Sequence, residues 1–150
     1  LAPIGHFSTA ASFGNVHGVY SPGNVKLRPD ILKNSQELVQ KMKGLGSNPL
    51  DLVFHGGSGS EKDKITESLD YGVFKMNIDT DTQFAFAESV GKYVWNNERA
   101  FAHQIDPEDG KPYKKQYDPR VWLREGEKGI IKRMDEAFAD LRATGKSLAA

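Results

Sequence analysis

Two histidines stand where apolar runs give way to glycine: "SFGNVHGVY" places His17 before Gly18, and "LDLVFHGGSGS" places His55 before Gly56. Neutral imidazoles at neighbouring strand ends suit zinc, which takes nitrogen ligands at about 2.0–2.1 Å and keeps one position open in catalytic sites. The glycines after them carry no Cβ, so backbone can come close to a metal or a substrate. The competing reading is a pair of ordinary histidines held by hydrogen bonds; two in matched settings, each followed by Gly, favour ligation. The remaining histidines, His6 near the start of its run and His103 in a polar stretch, read as surface residues.

Other polar clusters fall at comparable positions. "GGSGS" at 56–60 ends a strand and opens a helix, so its amides and the positive end of the helix dipole can attract phosphate, or it is a plain turn. It lacks the Lys of a P-loop, so nucleoside triphosphates are not expected. In "MNIDTDT" at 76–82, Asn77, Asp79, Thr80 and Asp81 can meet substrate hydroxyls and phosphate, or cap the following helix. Lys75 can form a Schiff base if buried, or extend its head group to water. Arg120 can grip a phosphate at two points, or be a surface cation. "EKDK" and "EGEK" read as solvated helix faces.

The elements that must position these residues alternate. Three β-like stretches, "FSTAASFGNVHG", "LDLVFHGG" and "GVFKMNID", are each followed by a helical pattern. The first helix is expected to put Ile31, Leu32, Leu38, Val39 and Met42 on one side and to stop at Gly44. The second is expected to be capped by Ser60, with Ile65 and Leu69 paired and Gly72 ending the turn; the third carries Phe86, Val90 and Tyr93 or Val94. This order predicts parallel strands joined by crossovers, an α/β barrel or an open doubly wound sheet, with the chemistry at the carboxyl ends of the strands. Residues 103–117 read as a surface loop. Asp118 as N-cap and Pro119 at the first helical position then open a helix or helix pair striped by Ile130, Met134, Phe138 and Leu141.

Composition narrows the partners. Twenty basic residues balance twenty acidic ones without blocks of either sign, so neither nucleic acid nor an acidic membrane is expected. With no Cys among 150 residues, only His, Asp and Glu remain as metal ligands, which fits a reducing compartment. No apolar run approaches the roughly 20 residues of a membrane span. The expectation is a soluble, cytoplasmic protein. Because the chain opens at Leu1 without a signal-peptide pattern, it reads as cut or processed.

"FGNVHGVYSPGN", "VFHGGSGS", "KMNIDTDTQ" and "YDPRVWLREG", in that order along essentially the whole chain, resemble the C-terminal part of class II, zinc-dependent fructose-1,6-bisphosphate aldolases. The resemblance implies that residues 1–150 are the C-terminal portion of one (β/α)8 TIM-barrel domain, about three of its eight βα units, with extra helices from about residue 118. It implies a lyase of glycolysis and gluconeogenesis, a homodimer at full length. The reaction is reversible cleavage of fructose 1,6-bisphosphate to dihydroxyacetone phosphate and glyceraldehyde 3-phosphate, with Zn2+ stabilising the enediolate. By resemblance His17 and His55 are zinc ligands. Gly18, Gly56 and Ser58 hold the dihydroxyacetone phosphate end and a monovalent cation, Na+ or K+. Asn77 is the catalytic residue near the reacting carbons, Asp79 and Thr80 belong to the phosphate-side loop, and Arg120 selects the second phosphate. Ser21 stands where the family commonly has a lysine, which points to weaker phosphate affinity. The other zinc ligands and the proton-transfer acid/base match nothing in this chain, so the isolated fragment is expected to be inactive. Two alternatives stand beside this reading: a non-catalytic phosphate-binding or structural piece, and an aldolase for tagatose 1,6-bisphosphate.

Overall fold

The computed structural model describes residues 5–18 and 25–147, which form two compact units, 1–80 with 138–150 and 81–137. In the first unit three parallel strands lie in the order β1-β2-β3: β1 (Ser8–Thr9), β2 (Asp51–Phe54) and β3 (Val73–Met76). Helix α1 (Asp30–Lys43) joins β1 to β2, and α2 (Lys62–Asp70) joins β2 to β3. The expected alternation of strand and helix is what forms.

Alternation along β2 explains the core. Leu52 and Phe54 lie two residues apart and so share a face. There they cluster with Leu32 of α1, Ile65 of α2, Val73 of β3 and the fully buried Phe13, whose ring meets Phe54 edge-on at 4.7 Å. The ladder pairs Thr9 with Leu52 and Leu52 with Val73, then shifts by an irregularity before pairing Val53 with Lys75 and Phe54 with Met76.

The first strand is much shorter than its sequence pattern. After Thr9 the chain turns at Gly14 (φ 96°), where a Cβ would lie 2.2 Å from the Lys26 carbonyl oxygen, and Phe13 drops into the core instead of extending the ladder. Helix α1 ends at Gly44 as expected, in the left-handed conformation with its N–H on the Gln40 carbonyl. Its inner face differs from expectation: Leu38 and Met42 are 58% and 69% exposed, whereas Gln36 is buried. At 100° per residue Leu38 and Met42 lie about 120° and about 80° around the helix from Leu32, while Gln36 lies only about 40° from it, one turn on. The Gln36 amide donates to the carbonyls of Leu50 and Tyr71 and accepts from the Leu50 N–H, so one side chain ties α1 to the entries of β2 and β3. Ser60 does not cap α2, which starts at Lys62 after Glu61; the Ser60 N–H instead closes a turn onto the Gly57 carbonyl.

The second unit is helical: most of α3 (Thr80–Asn96), then α4 (Glu98–Ala102), α5 (Lys114–Tyr117) and most of α6 (Pro119–Asp140). Phe86, Val90, Tyr93 and Val94 are half-buried as expected, but Met134 and Phe138 of the expected α6 stripe are exposed. Glycines bring α6 onto α3: a Cβ at Gly126 would lie 2.3 Å from the Phe86 ring, and one at Gly129 would lie 2.4 Å from the Ala85 carbonyl oxygen. The expected loop at 103–117 contains α5 and an Ile105–Pro112 bridge. Its organising group is Asp106, which accepts from the N–H of Glu108, from Arg99 and from the Tyr113 hydroxyl. No helix of the described residues is long and apolar enough to cross a membrane.

Replacing Gln36 by Leu roughly keeps the volume but removes the partner of three partly buried backbone groups, and should cost about 3 kcal/mol of stability. Urea unfolding of the variant against the parent checks this.

Candidate active site

Strand β2 ends at Phe54, so His55 is the first residue past the ladder. Strand β3 ends at Met76, so Asn77 is the first residue past its neighbour. The two segments are stitched together there, with the Asn77 N–H on the Phe54 carbonyl (2.8 Å) and the Gly57 N–H on the Asn77 carbonyl (2.9 Å). Their side chains meet as well, the Asn77 amide nitrogen lying 3.0 Å from His55 Nδ1.

His17 arrives by a different route from the one its sequence suggests. It sits eight residues beyond Thr9 in the loop after β1, not at the strand end, yet the loop folds back to place its ring 5.8 Å from that of His55, tilted by 56°. Two imidazoles sharing one zinc at 2.0–2.1 Å have centroids about 5.2 Å apart at the tetrahedral angle and about 6.4 Å at most. The observed ring separation falls within that range. Among the described residues no group of three or more His, Cys, Asp or Glu side chains could hold a metal.

Orientation of the Asn77 amide decides which His55 nitrogen is available, because a neutral imidazole carries one proton. When the amide nitrogen donates to Nδ1, the proton sits on Nε2. With the amide turned over, its oxygen accepts from Nδ1–H and Nε2 keeps its lone pair for a ligand.

Glycine makes the approach possible. Gly56 adopts φ 64°, and a Cβ there would lie 2.2 Å from the Val16 carbonyl oxygen and 3.3 Å from the His17 nitrogen. Gly57 is equally tight, its absent Cβ 2.2 Å from the Met76 methyl carbon. Gly18 has φ 103°, while Ser58 is half-buried in the turn that leads to α2. Asp79 is exposed, and Thr80 begins α3. Lys75, the Schiff-base candidate, is exposed in β3 opposite Val53. His6 and His103 are exposed, as expected. Ser21 lies outside the described residues.

One residue that sequence reasoning missed is Asn15. Its Nδ2 donates to the His55 carbonyl at 2.7 Å, and its Oδ1 accepts from the Phe13 N–H at 2.9 Å. The available signal was an Asn after Gly in a turn, where its amide can bond backbone.

Arg120 belongs to the second unit, at the start of α6. Asp118 caps that helix as expected, accepting from the Arg120 N–H at 3.0 Å. The same carboxylate receives the guanidinium through Nε at 3.0 Å and Nη2 at 2.6 Å. The guanidinium side chain is 87% exposed, so one edge is held while the rest faces water. These bonds from the Arg120 side chain and then its backbone N–H hold the Asp118 carboxyl down to about 2.

A strand–helix–strand succession with parallel strands and polar side chains gathered past the strand ends defines an α/β scaffold of the barrel or doubly wound kind. The profile of the Fructose-bisphosphate aldolase class-II family matches residues 2–146, and the chain belongs to that family. It is 58% identical over 144 residues to a fructose-bisphosphate aldolase of Campylobacter jejuni subsp. jejuni serotype O:23/36 (strain 81-176), covering 94% of this chain and 41% of that protein. It is 55% identical over 139 residues to the fructose-bisphosphate aldolase class 2 of Escherichia coli (strain K12), covering 91% and 39%. A crystal structure of fructose-bisphosphate aldolase from Campylobacter jejuni superposes with a TM-score of 0.82 at 58% identity, over 91% of this chain and 40% of that one. The chain thus spans about 40% of the length of the curated relatives it matches, and its sheet is a portion of the family's barrel.

Because its folded pKa is depressed, Asp118 should support the α6 start at every pH above the ordinary carboxylate range and lose that role as pH falls from 3.8 toward 2. A carboxyl-detected NMR titration should show a midpoint near 2, moving up toward about 3.9 in Arg120→Ala.

Proposed function

We propose that this chain contributes the C-terminal barrel units of a class II aldolase that cleaves fructose 1,6-bisphosphate reversibly to dihydroxyacetone phosphate and glyceraldehyde 3-phosphate, in the cytoplasm, as a homodimer. The observation that carries the reading is the pairing of His17 and His55 at 5.8 Å, with Asn77 bonded to the second ring, in a chain of this family.

In this reading His17 and His55 hold Zn2+, and when bound the ion supplies Lewis-acid polarisation of a substrate carbonyl. Asn77 orients the His55 ring and faces the carbons that react. Gly18, Gly56 and Ser58 bring backbone groups to the triose phosphate end and to a neighbouring Na+ or K+. The start of α2 adds its unpaired N–H groups and dipole to the phosphate field. Asp79 and Thr80 line the phosphate side. Arg120 takes the second phosphate with the guanidinium edge that Asp118 leaves open, a two-point contact a lysine cannot reproduce.

A second reading is a phosphate-binding or structural piece without catalysis of its own, favoured by a ligand set of two among the described residues. The assay that separates them is aldol cleavage by the full-length protein, where the first reading expects turnover that needs His17 and His55 and the second expects none.

In the full-length protein His17→Ala and His55→Ala should each abolish zinc retention and turnover; metal content unchanged in both would refute the ligand assignment. Lys75→Ala should leave the chemical step intact, and borohydride trapping of substrate on the wild-type protein would instead support a Schiff-base route.

A further inference from the structure

We propose that Asn15 is a positioning residue: its side-chain amide fixes the loop that carries His17 against the strand end that carries His55, and so sets the affinity of the two imidazoles for a divalent cation. This rests on the reading of His17 and His55 as a cation site.

Hydrogen-bond alternation in β2 supplies the argument. Leu52 and Phe54 direct their backbone groups toward β3, with the Leu52 N–H on the Gly72 carbonyl and the Phe54 carbonyl receiving the Asn77 N–H. Successive residues of a strand address opposite neighbours, so the His55 carbonyl faces the β1 side. Strand β1 pairs through Ser8 and Thr9, opposite Asp51 and Leu52, and the chain then turns away. At the place where a longer β1 would present an N–H, the Asn15 Nδ2 does so, at 2.7 Å.

The other end of the same amide is anchored. Its Oδ1 accepts from the N–H of Phe13, a residue with no exposure whose ring packs on Phe54 and whose carbonyl accepts from the Arg28 N–H at 2.7 Å. Asn15 therefore links a core anchor to the peptide of one histidine, and the other histidine follows two residues later. Gly56, packed on the Val16 carbonyl, lets the loop approach; Asn15 decides where along the strand end it rests. Neither a shorter nor an aliphatic side chain can meet both groups at once.

The test uses the full 150-residue chain and Co2+ as the probe, followed by its visible absorption and by the imidazole NMR signals. Asn15→Ala should weaken Co2+ binding about tenfold or more, the range expected for groups that orient metal ligands. It should also abolish the NOE between the two imidazoles in the metal-free protein while the Phe13–Phe54 NOE persists. Asn15→Ser, which can still accept from the Phe13 N–H but is too short to reach His55, should fold and show the same loss even if Asn15→Ala does not fold. Wild-type Co2+ affinity with an intact imidazole–imidazole NOE in the folded variant would overturn the positioning role. If His17→Ala and His55→Ala also bind Co2+ like the parent, the cation-site reading itself fails, a result separable from failure at Asn15.

Discussion

A methyl group at position 56 would collide with the carbonyl of Val16, and the geometry of the site follows from its absence. The strand-end backbone at Gly56 adopts a left-handed conformation that L side chains rarely take, and in doing so it admits the loop after β1 to within van der Waals contact. Only because that loop lies so close does an imidazole eight residues past the end of β1 come to face one that begins directly after β2. The constraint is steric, and the chemistry that the proposed function assigns to the two rings is downstream of it.

The core holds this approach in place from below. Leu52 and Phe54 point to the face where α1 and α2 pack, Phe13 joins them from the loop, and the buried amide of Gln36 ties α1 to the backbone before β2 and β3. The strand ends are thereby fixed on one side by apolar contact and on the other by hydrogen bonds that continue past the ladder through Asn77 and Gly57. In the helical unit the same economy recurs: Gly126 and Gly129 remove side chains so that α6 can lie on α3, and Asp118 both starts α6 and steadies Arg120.

The parts legible in the sequence were those with a local cause. Gly44 at the end of α1, Pro119 and Asp118 at the start of α6, and the alternation of strand and helix all follow from short-range rules, and each appears in the structure. His17 and His55 could be singled out because a glycine follows each. Residues whose role depends on partners far along the chain were not legible: Gln36 meets backbone 14 and 35 residues away, Asn15 meets a carbonyl 40 residues away, and Gly126 matters through a ring on another helix. Leu38 and Met42 mislead because an apolar stripe read at helical spacing does not say which of two adjoining faces the sheet will cover. The brevity of β1 was hidden for a related reason: Phe13 satisfies the core by leaving the strand.

Membership of the class II fructose-bisphosphate aldolase family gives these local constraints a common purpose, one proposed for a barrel of which this chain is about two fifths by length of its relatives. The central claim is that His17 and His55 share one cation. Zinc-edge X-ray absorption on the zinc-loaded full-length protein, with each histidine in turn labelled by selective substitution to Gln, tests it most directly. The account predicts that two nitrogen scatterers at about 2.0–2.1 Å are traceable to these two rings, one lost with each substitution; an unchanged first shell in both would contradict it.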